Sequence, residues 1–123
     1  MKKLVFLSIF VLSAIAQAKP QESSKSQKAC DKKVTNEYKE IVEQKDYEFD
    51  QISRIGAEYL AEILNESSEI EESAIPRIRE WASDRNTIVY EGTTNYMGGT
   101  GLDLVFVDKK TCTIKNVVLW YAE

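Results

Sequence analysis

The chain reads as an α+β domain, with N-terminal helices packed on one face of a small antiparallel sheet of three or more strands. Two observations predict that class. Apolar residues recur at helical spacing between about residues 31 and 81, and β-branched and aromatic residues then gather in three short runs. A third observation supports a hairpin-connected sheet. Four of the five glycines fall within Gly92–Gly101, between the first two of those runs.

The N-terminus has its own logic. Met1-Lys2-Lys3 is followed by an apolar stretch from Leu4 to Ile15 and then by Ala16-Gln17-Ala18. A positive start, a short apolar run and an A-x-A site predict a signal peptide over 1–18, cleaved after Ala18. The run is shorter than the roughly 20 residues a bilayer requires. No second one follows, so no membrane span is expected in the mature chain. Residue 19 is Lys rather than Cys, which argues against a lipid anchor. A periplasmic or secreted location is therefore expected. Residues 19–29 are mostly polar and read as a flexible leader, and 30–123 read as one domain.

The whole chain has 16 basic and 20 acidic side chains, and loss of Lys2 and Lys3 leaves a net charge of −6. An acidic surface of this kind disfavours nucleic acid and anionic membranes as partners. Cys30 and Cys112 are the two cysteines. In an oxidising compartment an even pair most simply forms one disulfide. Closing a loop of roughly 80 residues contributes near 4 kcal/mol in the chain-entropy account.

The elements follow in order. Val34, Tyr38, Ile41 and Val42 predict an amphipathic helix from Asp31 to about Lys45. Phe49, Ile52, Gly56, Tyr59, Leu60, Ile63 and Leu64 predict a second one from about Phe49 to Asn65, with Gly56 allowing close approach of a neighbour. Ser68 and Glu71 fit a capping box near a third helix. Pro76 belongs in its first turn, Ser73 is a candidate cap, and Ile75, Ile78 and Trp81 form its apolar face. Strands are predicted at Thr87–Glu91, Leu102–Val107 and Thr113–Tyr121, with a turn at Asp108-Lys109-Lys110-Thr111. Every strand is mostly apolar, so the second sheet face is expected to be partly covered or used. Strand alternation would send Trp120 and Tyr121 to opposite faces.

The chain contains no histidine, which removes the commonest general base and metal ligand. No catalytic residues, metal site or cofactor are expected. Glu91 and Asp103 flank the glycine-rich segment and are the one carboxylate pair that could support an acid–base hydrolase. The segment lacks the Lys and Ser/Thr placement of a phosphate loop and joins two strands rather than a strand and a helix. Tyr96 and Met97 at its tip suit either interface anchors or a cover over the end of the core. The candidate binding set is Tyr90, Glu91, Tyr96, Met97, Gly98, Gly99 and Asp103. A small-ligand periplasmic module is the alternative, its pocket lined by Trp81, Tyr90, Phe106 and Trp120.

Ile88 to Thr93, Tyr96-Met97-Gly98-Gly99, and Leu104 to Val107 followed by Asp108-Lys109-Lys110-Thr111 resemble the C-terminal part of the NTF2-fold immunity proteins. Gly56 to Leu64 is similar to their preceding helix. The resemblance covers about half the mature chain. It implies an NTF2- or cystatin-like arrangement and a non-catalytic immunity or inhibitor protein that occludes a protein partner, a toxin or secreted enzyme. It carries over no catalytic residues.

Overall fold

The structure, a computed structural model, describes residues 25–123; the expected signal peptide and the first residues of the expected leader lie outside them. Cys30, Val34, Tyr38 and Val42 recur every fourth residue and form the buried stripe of helix α1, Lys25–Gln44. The helix therefore starts within the segment expected to be a leader. The chain continues through strand β1 (Glu48–Arg54), helix α2 (Ala57–Glu66), a 3₁₀ turn (Glu72–Ala74) and helix α3 (Ile75–Ser83). Strands β2 (Thr87–Tyr96), β3 (Gly99–Asp108) and β4 (Thr113–Ala122) complete it. The four strands form one antiparallel sheet in the order β1-β2-β3-β4.

The α+β class and the antiparallel sheet are as expected, but the helices do not share one face. Along β3, Leu104 and Phe106 point to a core with Leu60, Ile63, Leu64 and Ile78 of α2 and α3. Val105 and Val107 point the other way, to Val34, Tyr38 and Val42 of α1. Both faces of the central strands are buried, which is why the strands read as nearly continuous apolar runs.

The expected second helix is half strand. Phe49 and Ile52 are three apart, which suggests a helix, yet both face α1 because a bulge sets Asp50 between the Phe49–Thr94 and Gln51–Thr93 pairs. The same device recurs twice in β4. An irregularity at Lys115 lets Ile114 and Val117 share the α1 face. Another at Trp120 brings Trp120 and Tyr121 to one side, where they line the same cleft, instead of sending them to opposite faces. Pro76 lies in the first turn of α3 as its missing N–H requires. Ser73 makes no cap; it sits inside the 3₁₀ turn.

Candidate functional site

The hairpin between β2 and β3 is tighter than its glycines suggest. Pairing runs unbroken from Thr87–Asp108 to Tyr96–Gly99, leaving a two-residue turn, Met97-Gly98. Both residues have positive φ, 45° and 83°, the geometry of the type I′ turn whose twist matches antiparallel strands. What reads as a ten-residue loop is thus strand except at its tip. Met97 is fully exposed there.

A second aromatic residue reaches this end through the helix cap of α1. Tyr47 N–H donates to Val42 O at 3.0 Å and Asp46 N–H to Glu43 O at 3.1 Å, while Asp46 takes φ 66°. This is a Schellman motif with Asp in the position glycine usually fills. It turns Tyr47 onto Tyr96, with ring centroids 4.7 Å apart. Leu119 joins them: a Cβ on Gly101 would lie 3.8 Å from Leu119 Cδ1 and 3.9 Å from Tyr96 Cε1. Four large apolar side chains are exposed among the described residues, and Tyr47, Met97 and Leu119 are three of them. They gather here because α1 ends at Gln44 and leaves the last turn of the hairpin uncovered.

The other expected binding residues are elsewhere. Tyr90 is 2% exposed, beneath α1. It donates to Asp31, which pairs with Arg54 Nη2 at 2.6 Å, and that Nη2 also reaches Tyr90 Oη at 3.2 Å. Burial and the Asp31 contact push the Tyr90 phenol well above its ordinary range. Asp103 is also under α1, where it accepts from Tyr38 Oη at 2.6 Å. Burial raises its carboxyl above the ordinary value, opposed by the Tyr38 hydrogen bond and the Lys45 charge. Gly92, across from Asp103, lets Tyr38 lie there, since a Cβ on it would come within 2.4 Å of the ring.

Glu91 is on the opposite face, where it accepts from Tyr59 Oη at 3.2 Å. Glu91 and Asp103 are therefore divided by the sheet and cannot act on one bond. Of the expected set, Tyr96, Met97 and Gly98 lie at the hairpin end, and Gly99 beside them is backed by the Glu123 carbonyl; Tyr90, Glu91 and Asp103 lie elsewhere. Tyr47 and Leu119 were missed. Leu119, flanked by apolar Val118 and Trp120, carries no alternation signal, and Tyr47 depends on the cap.

The expected small-ligand pocket is filled. Trp81 packs on the fully buried Phe106 at 5.2 Å between ring centroids, while Tyr90 lies on the other face. Cys30 and Cys112 form the expected disulfide, with Cα atoms 5.4 Å apart. No helix among the described residues is long and apolar enough to cross a membrane. The chain matches no family model, no curated protein and no solved structure.

Proposed function

We propose that this is an exported, non-catalytic binding protein of the immunity or inhibitor type, which occludes the site of a protein partner with the β2–β3 hairpin tip. The observation that carries the reading is that Tyr47 packs on Tyr96 beside Leu119 at the hairpin end whose turn carries the exposed Met97. Aromatic and thioether side chains on a preorganised turn lose little entropy on docking, which is what an occluding anchor needs. The disulfide fits a compartment outside the cytoplasm, as the A-x-A site at Ala18 does. The resemblance to the NTF2-fold immunity proteins supplies the partner class, a toxin or secreted enzyme.

The test uses mature protein immobilised against a periplasmic extract of its own source, beside a Met97→Glu plus Leu119→Glu variant. Both substitutions are at exposed positions, so circular dichroism should show an unchanged fold. A single partner captured by the wild type and lost with the variant is expected. Equal capture by both proteins would remove the hairpin end as the anchor.

A further inference from the structure

A cleft of about 530 Å³ opens between α2, α3 and the start of β2, on the face away from α1. Its floor is apolar, with Leu60, Leu64 and Val89 buried beneath it. Ala57, Ala61 and Ala82 line its helical walls, and their small side chains keep it open. Arg54, Arg79, Arg85 and Lys109 also line it, and no lining residue is acidic. In a chain with more acidic than basic residues, that is a local reversal of charge.

Two of these cations are already engaged. Arg54 pairs with Asp31, and Arg79 donates to Asn65 Oδ1 at 3.1 Å. Arg85 and Lys109 are exposed, and their side chains make no hydrogen bond or ion pair among the described residues. Their backbones are nevertheless held together. Lys109 N–H donates to Asn86 O at 2.7 Å, and Asn86 N–H donates to Asp84 Oδ1 at 2.9 Å.

Gly56 completes the mouth as the N-cap of α2, a position with no side-chain cap. Its φ of −92° suits any residue, and a Cβ there would meet nothing within 4 Å. The space in front of it is therefore open.

We propose that this cleft binds a free medium-chain carboxylate, its alkyl body on Leu60, Leu64 and Val89 and its carboxylate held by Arg85 and Lys109. A concave apolar floor with a few polar groups at one side is the usual design of a small-molecule site, and the volume lies in the usual range. Arg85 and Lys109 line the same cleft, and no acidic residue lines it with them, which favours an anionic head there. This site is on the sheet face opposite α1 and is independent of the hairpin anchor.

The probe is sodium decanoate, titrated into the mature protein by calorimetry and by amide NMR. Decanol supplies the tail without the charge, and acetate the charge without the tail. Decanoate should bind saturably, with shifts centred on Ala57, Ala61, Ala82 and Arg85. Arg85→Gln plus Lys109→Gln should weaken binding by about tenfold or more, as loss of charge-assisted contacts does. Gly56→Phe, which fills the mouth, should abolish it with the thermal transition unchanged. Met97→Glu plus Leu119→Glu should leave it intact. The proposal is overturned if decanoate gives no saturable shifts, if the shifts centre elsewhere, if decanol or acetate binds as tightly, or if the Arg85/Lys109 variant retains full affinity.

Discussion

The two faces of the sheet are held in different ways. On one, a single helix of 20 residues runs about 30 Å, close to the roughly 33 Å of a ten-residue strand. Its buried stripe is narrow, and directed polar bonds supplement it. Tyr38 bonds Asp103, Asp31 gathers Tyr90 and Arg54, and Glu37 Oε1 accepts Ile114 N–H at 3.1 Å. Lys33 Nζ reaches Thr111 O at 2.7 Å, and the Cys30–Cys112 bridge ties the same end. On the other face, α2 and α3 hold mainly by apolar packing around Phe106, Leu104 and Ile78, with the exposed Tyr59–Glu91 hydrogen bond as a directed contact from α2 to the sheet. Helices of 10 and 9 residues cannot tile that surface, so clefts remain at their edges. Long coverage with specific bonds makes the α1 face a scaffold, whereas short coverage leaves the other face recesses that a ligand could enter.

The sharpest way to break this contrast is to cut the staple. Cys30→Ala plus Cys112→Ala should cost about 4 kcal/mol in urea unfolding, because the unfolded chain regains the entropy of a long loop. Indole fluorescence of Trp81 and Trp120, which lie on the opposite face, should keep its native form at low urea. A native-state spectrum changed as much as by unfolding would show that the two faces are not separable.

Next in size is Tyr38→Phe. It leaves a buried carboxylate without its donor and should cost about 1–3 kcal/mol. The loss should be larger at pH 7 than at pH 4, because the Tyr38 hydrogen bond favours the charged form of Asp103. An equal loss at both values would mean that Asp103 does not titrate in that window.

Asp103→Asn keeps an acceptor for Tyr38 and removes the charge. The folded-state pKa of Asp103 is raised, so its contribution is fully present below the ordinary carboxylate value near 4 and is lost as pH rises through the folded value. The variant should therefore gain on the wild type between pH 4 and pH 7 in urea midpoint. Parallel profiles would refute the assignment.

The smallest effect concerns the cap that delivers Tyr47. Asp46→Gly relieves the left-handed backbone and should stabilise by about 0.5–1 kcal/mol, read in the same unfolding assay. A loss of stability would mean that the Asp46 side chain contributes more than its backbone strain costs.

Much of this was legible beforehand. The spacing of Val34, Tyr38 and Val42 marked α1, the runs at Ile88, Val105 and Val118 marked three strands, and an even pair of cysteines marked the staple. Two of the misreadings share one cause. Phe49 with Ile52 and Trp120 with Tyr121 sit at bulges, where an extra residue breaks period two and imitates another pattern. Bulges depend on the partner strand, which local sequence does not show. The cationic cleft was illegible for a related reason: Arg54, Arg79, Arg85 and Lys109 come from four separate segments.

Composition and periodicity alone were enough for the α+β class, the lack of histidine and the cysteine pairing, because each rests on residue type or near neighbours. Only the tertiary structure decided which helix covers which face. It also placed Asp103 beneath Tyr38 while Glu91 lies across the sheet, and it assembled the cations around one recess. Those outcomes depend on strand register and on helix length measured against the sheet, quantities that exist only once distant segments are packed together.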